Sequence, residues 1–237
     1  MDRRHFVTAA LGMAAAAPFA ARAQSAKPKI ATIGAGREGG SLGTLFAKEG
    51  FQVMFSSRNP EQLKDLVASA GPNAKAGTVA EAVAFGDVVL LVVPYTAVEQ
   101  IGKDYGKELA TKQLVMDVSN PIPRRDGEDF VKKINEQGGA GVATQKMLPG
   151  AKVVRAFNAI GYMALPKAAH RQGDPLGVPI AGDDPKAIEL ASSLIKQLGF
   201  EPVLIGNLAK GKYLVPGTPL GGEHTPEDLR KIAAGLS

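Results

Sequence analysis

The residues with the clearest chemical use are Gly34-Ala35-Gly36-Arg37-Glu38-Gly39, a Gly-x-Gly-x-x-Gly string between an apolar run at 29–33 and a stretch with helical spacing. In that context Gly34 permits a tight turn and Gly36 lets backbone approach a pyrophosphate. Gly39 lets helix pack closely on strand, and the N–H groups of the first helical turn face the phosphates. A strand-to-helix turn without a ligand would use the same glycines, but the second strand read at 51–56 completes the dinucleotide context. About 20 residues past the loop, where NAD-binding chains place a carboxylate on the ribose, this chain has Ser56-Ser57-Arg58-Asn59. Ser57 can donate a hydrogen bond and Arg58 offers a planar charged fork, so the pair suits the 2′-phosphate of NADP(H). A solvated arginine at a strand end is the plainer use of the same residue.

Other candidates fall at the ends of later apolar runs. Val93 closes the run at 88–93, with Pro94 and Tyr95 after it; Asn120 and Pro121 follow the run at 114–118; Asn158 and Ala159 follow the run at 152–157. In an open α/β sheet these are the carboxyl ends of strands, where ligands bind. Val93, Pro94 and Asn120 are therefore assigned with Ala35, Arg37, Glu38 and the loop glycines to the nucleotide. Tyr95, Pro121, Asn158 and Ala159 are assigned to the cleft of a small redox acceptor. Asn120 and Asn158 either orient a carboxamide or ring, or serve loop backbone. No catalytic acid or base is singled out, because hydride transfer between two bound rings depends on positioning and exclusion of water.

Composition removes competing chemistries. The 237 residues contain no cysteine, which excludes disulfides, thiolate zinc sites and cysteine nucleophiles. Of the three histidines only His170 and His224 lie outside the export signal read at residues 1–23, too few for a multi-histidine metal site; both read as surface residues, and no Gly-x-Ser-x-Gly string marks a hydrolase. A formal charge of +5 without a run of basic residues, with aromatics at 5%, gives no support to nucleic-acid binding. The cluster Arg124-Arg125-Asp126 through Asp129 reads as a solvated helix start.

The elements that must position these residues alternate. Strands are expected at 29–33, 51–56, 88–93, 114–118, 152–157, 178–181 and 202–205, and helices after the glycine loop, from Pro60, and at 78–85, 96–109, 128–137 and 162–169. A further helix starts at Asp184-Pro185 and the last at Thr225. Unbroken apolar runs suit strands covered on both faces, so the fold class is α/β, a doubly wound, mostly parallel Rossmann sheet. Residues 29–206 form the nucleotide domain and 207–237 a small C-terminal cap, in which Tyr213 is expected to pack.

Residues 1–23 read as an export signal, with Arg3-Arg4, an apolar stretch and Ala21-Arg22-Ala23 as a small-residue cleavage site; residues 24–28 are a tether. Asp2-Arg3-Arg4-His5-Phe6-Val7 resembles the twin-arginine motif. The expectation is a periplasmic or otherwise exported protein with no transmembrane anchor after cleavage.

Several strings together resemble the F420-dependent NADP oxidoreductase family: the glycine loop, Ser57-Arg58, Val92-Val93-Pro94, Asp117-Val118-Ser119-Asn120-Pro121, Ala156-Phe157-Asn158, Ala181-Gly182-Asp183-Asp184, and Gly206-Asn207-Leu208 through Thr218-Pro219-Leu220. The same domain type is similar to the NADPH-binding part of six-transmembrane metalloreductases, where hydride goes to flavin. The resemblance implies one Rossmann domain, often dimeric, passing hydride between NADP(H) and a deazaflavin, F420, or a flavin. It carries Ser57 and Arg58 over as 2′-phosphate contacts and Pro94 and Asn158 as cleft-lining positions. Val215 stands where the family has an acidic residue. A non-catalytic NADP-binding sensor or partner subunit is the alternative from another class, and reduction of an imine or carbonyl a third reading.

Overall fold

A computed structural model describes residues 27–236; the expected export signal and most of the tether lie outside the described residues. The chain runs β1 (Ile30–Ile33), α1 (Arg37–Lys48), β2 (Val53–Ser56), α2 (Lys64–Ala70), β3 (Ala74–Gly77), α3 (Val79–Phe85), β4 (Val88–Leu91) and α4 (Val98–Ala110). It continues β5 (Leu114–Asp117), α5 (Pro123–Asp126), α6 (Glu128–Glu136), α7 (Ala140–Met147), β6 (Val153–Arg155), α8 (Leu165–Ala168), β7 (Gly177–Gly182), α9 (Pro185–Gln197), β8 (Glu201–Gly206) and α10 (Pro226–Ala234). Short 3-10 turns occupy Pro60–Leu63, Tyr95–Ala97 and Leu208–Tyr213.

One sheet has the order β3-β2-β1-β4-β5-β6-β7-β8. Strands β1 to β6 pair in parallel, β7 runs antiparallel to β6, and β8 is parallel to β7. The order reverses between β1 and β4, which opens a crevice beyond their carboxyl ends. A parallel β6–β7 pair would need a crossover covering the sheet. The intervening chain supplies only the four-residue α8, and β7 enters in the opposite sense.

Both faces of the sheet are covered, as the unbroken apolar runs require. In β4, Val88 and Leu90 join one core cluster with Phe46, Phe55, Met116 and Ile180, while Val89 and Leu91 join another with Ile33, Val115 and Leu109. Each such side chain, fully buried, contributes about 1.5–3 kcal/mol. Helix ends follow local chemistry: Asp184 accepts from Ala187 N–H at 2.7 Å to start α9, Thr78 and Glu81 form a reciprocal capping box on α3, and Thr225 caps α10. The C-terminal segment packs Leu214, Leu220 and Leu229 with Tyr213 against Ala181 and Val203 of β7 and β8.

Four features depart from the elements the sequence suggests. Strand β3 was not expected, because Ala-Lys-Ala-Gly at a sheet edge lacks an apolar signature. Helix α7 was not expected either; it starts after Gly138 and Gly139, both at positive φ, where glycines read as loop. The helix expected at 162–169 is confined to α8. The cluster 124–129 is two helical pieces, with Gly127 at φ 92° breaking them.

Candidate active-site cleft

The loop after β1 makes its turn on Gly34, at φ 100°. A Cβ there would lie 2.2 Å from the Val92 carbonyl oxygen, and one on Gly39 would lie 2.0 Å from the Gly34 carbonyl oxygen, so loop, helix and β4 meet at distances only glycine allows. A Cβ on Gly36 would meet nothing within 4 Å. Gly36 is also the N-cap of α1 and has no side chain to satisfy the first-turn N–H groups, which leaves them for a ligand. The Ala35 N–H donates to the Ser56 carbonyl at 3.2 Å, which ties the loop to the end of β2.

Beyond Gly36 lies a cleft of about 390 Å³, bounded by the loops that follow β1, β4, β5 and β6. Among the expected site residues it brings together Gly36, Arg37, Glu38, Gly39, Val93, Pro94, Asn120, Asn158 and Ala159. Ala35 faces the other side of the loop, in a groove with Gly40, Thr44 and Leu63. Ser57 and Arg58 sit at the carboxyl end of β2, half-buried and exposed respectively; Ser57 Oγ accepts from the Asn59 N–H at 3.1 Å and keeps its hydroxyl proton for another partner.

Two cleft assignments do not hold. Tyr95 is fully buried, its hydroxyl donating to the Ala140 carbonyl at 2.6 Å and lying 2.9 Å from Thr144 Oγ1, because the 3-10 turn after Pro94 directs the ring inward onto Phe130. Pro121 is buried and lies outside the cleft lining. Arg125, read as part of a solvated cluster, lines the cleft and donates to both Asp126 oxygens and the Asn120 carbonyl. His170 is exposed, as expected, and pairs with Glu49 at 2.9 Å; His224 is half-buried, with a ring nitrogen 3.0 Å from the Gly221 carbonyl.

Beneath the cleft is a buried polar cluster that sequence reasoning missed. Arg155 of β6 donates to Asp117 at 2.6 Å, to the Ser119 carbonyl at 3.0 Å and to Asn120 Oδ1 at 2.9 Å, and both charged side chains are fully buried. Thr144 of α7 donates to Asp117 at 2.8 Å, and the Ser119 N–H donates to its other oxygen at 2.9 Å. Burial, with the Asp117 charge added, pushes the Tyr95 phenol well above its ordinary range, so it serves as a neutral donor. The available signal was one charged residue inside each of two otherwise apolar strands, which calls for mutual pairing.

This cluster fixes the far wall. Asn120 Nδ2 donates to the Asn158 carbonyl at 2.8 Å, and Asn158 Nδ2 donates to the Asp117 carbonyl at 3.0 Å. Asn120 therefore serves loop backbone, one of the two roles open to it. Asn158 is 3% exposed and its Oδ1 has no partner, leaving a buried acceptor in the cleft lining. Phe157, just before it, holds φ 61°, a conformation that costs an aromatic residue about 1–3 kcal/mol and concentrates at functional sites. A second buried atom without a partner is Glu38 Oε1. Burial pushes the Glu38 carboxyl up to about 7, against a hydrogen bond from the Tyr162 backbone that pulls the other way.

Residues 29–121 match the family model described as NADP oxidoreductase, coenzyme F420-dependent. The metalloreductase STEAP3 of Rattus norvegicus is 30% identical over 188 residues, which cover 78% of this chain and 35% of that protein. The chain thus spans about a third of that relative's length. A hypothetical protein, SMa0349 from Sinorhizobium meliloti, has a solved structure that superposes with a TM-score of 0.71 at 29% identity, covering 84% of this chain and 96% of that one. A protein from Arthrobacter sp. FB24, described as a candidate F420-dependent NADP-reductase, shares the fold with a TM-score of 0.66 at 21% identity, covering 78% of this chain and 88% of that one.

Proposed function

We propose that this chain is an NADP-dependent oxidoreductase that passes hydride between NADP(H) and a small redox acceptor of the deazaflavin (F420) or flavin type. The observation that carries it is the open face of Gly36 at the N-terminus of α1, in a cleft whose buried Asn158 Oδ1 lacks a hydrogen-bond donor. The diphosphate of a dinucleotide fits the first, and a carboxamide N–H₂ fits the second. The family match and the metalloreductase relative support the same reading.

In this reading the first-turn N–H groups of α1 hold the diphosphate, Ser57 and Arg58 hold the 2′-phosphate, and Asn158 orients the carboxamide. Pro94, Val93 and Ala159 give the ring an apolar wall that excludes water. When bound, the nicotinamide supplies the hydride. The chain's own contribution is positioning, and the Asp117–Arg155 cluster contributes by fixing the wall that carries Asn158. Stopped-flow mixing of the NADPH-loaded protein with F420 and with FMN tests the proposal. Loss of NADPH absorbance at 1:1 stoichiometry with one acceptor is expected. Tight NADPH binding with no transfer to either would point instead to a nucleotide-binding module without turnover.

A further inference from the structure

Glu38 occupies the second helical position of α1, beside the Gly36 N–H face, and lines the same cleft as Asn158. An acidic residue in a first helical turn is ordinarily stabilised as the anion by the helix dipole. Here one carboxyl oxygen is buried without a donor, and the region that would stabilise its charge is the one a diphosphate uses. Two anions cannot share that position without a cation between them.

Among the described residues, neither cation of the cleft lining is paired with Glu38. Arg37 is exposed and directed at Tyr162, with its guanidinium 5.7 Å from the ring centroid and 3.4 Å from the hydroxyl. Arg125, on α5, is engaged with Asp126 and the Asn120 carbonyl. The lining residues after β4, Val92, Val93 and Pro94, are not ionisable, and neither is Pro216 from the C-terminal segment. The loop after β6 adds the Tyr162 phenol, which faces Arg37.

On the reading that the cleft takes NADP(H), we propose that Glu38 enters the complex as a neutral carboxylic acid whose O–H donates to an oxygen of the nucleotide, so that binding takes up a proton from solvent. A neutral acid has a donor in need of an acceptor, and a dinucleotide is rich in acceptor oxygens. The burial that already raises this carboxyl to about 7 works in the same direction, and the added phosphate charge raises it further. Affinity is then complete below the free-protein value and is lost as pH rises toward the bound-state value, by up to about tenfold per unit.

Calorimetric titration of the purified chain with NADP+ at pH 8, in buffers of different ionisation enthalpy, counts the protons taken up. The nucleotide's own phosphate titrates near about 6, so the decisive quantity is the difference between wild type and Glu38→Gln. Wild type is expected to take up nearly one proton more than the variant. The variant, neutral at every pH, is expected to bind more tightly than wild type at pH 8 and about equally at pH 6. Equal proton balances, or weaker binding by the variant at both pH values, would overturn the proposal. Should the variant fail to fold, the wild-type uptake at pH 8 still decides: none means the carboxylate stays ionised. If neither NADP+ nor NADPH binds wild type, the nucleotide reading itself fails and this inference with it.

Discussion

Around the loop after β1, Gly36 faces open space, Arg37 is exposed and a buried oxygen of Glu38 has no partner. Under the adjoining strands β5 and β6, Asp117, Thr144, Tyr95 and Arg155 are fully buried; Thr144 and Arg155 donate to Asp117, and the Tyr95 hydroxyl lies against Thr144 and donates to the Ala140 carbonyl. The first region leaves polar groups for a guest, whereas the second uses nearly all of its own internally to hold a wall, leaving Arg155 Nε without a partner. Unsatisfied groups are costly when buried, and in the closed region that cost falls on one nitrogen of a guanidinium whose other two are bonded. Asn158 belongs to both regions: its amide nitrogen serves the closed cluster and its oxygen has no hydrogen-bond partner.

Breaking the closed region should have the largest effect on stability. Asp117→Ala leaves the Arg155 charge buried with only neutral partners and is expected to cost about 3–5 kcal/mol, visible as a lower midpoint in thermal or urea unfolding. Nucleotide binding should weaken as well, through loss of the wall that carries Asn158. A change below about 1 kcal/mol, within the range of an exposed pair, would show that the cluster does not hold that wall.

Breaking the open region should have a smaller effect on stability and a larger one on binding. Gly39→Ala drives a methyl into the Gly34 carbonyl, and the loop relieves the clash by shifting away from the geometry that receives the diphosphate, a shift that binding must reverse at a cost of about 1–3 kcal/mol. That predicts roughly five- to hundredfold weaker NADPH binding by fluorescence titration, with the unfolding midpoint little changed. Equal losses in stability and affinity would mean the loop is part of the core and not a separately adjusted binding surface.

The two regions also differ in how far they can be read from the chain. The glycine loop is local: a strand, the three glycines of the Gly-x-Gly-x-x-Gly string and a helix lie within residues 29–48, and their spacing carries the geometry. Strands β1, β2, β4 and β5 are legible for the same reason, as short apolar runs. The closed cluster joins residues far apart in sequence, one of them on α7, whose Gly-rich start reads as loop, so the charged residues in β5 and β6 call for a pairing whose other members no local pattern announces. Tyr95 shows the limit at a single residue. Its place just past β4 suggested the cleft, but side-chain direction depends on the 3-10 turn and on a pocket made by Phe130, Ala140 and Thr144. The antiparallel entry of β7 is likewise set by its connection and not by its own residues. Glu38 was visible as a loop residue, yet its burial emerges only when the chain after β6 closes over it.

The most direct measurement is the affinity of the purified chain for NADPH and for NADH, in parallel with Arg58→Ala. If the cleft binds the phosphorylated nucleotide, the charged hydrogen bonds at the end of β2 are worth about 1.5–3 kcal/mol. NADPH should then bind roughly ten- to hundredfold more tightly than NADH, and Arg58→Ala should remove that preference by weakening NADPH alone. Equal affinities for the two nucleotides in wild type, or binding of neither, would contradict it.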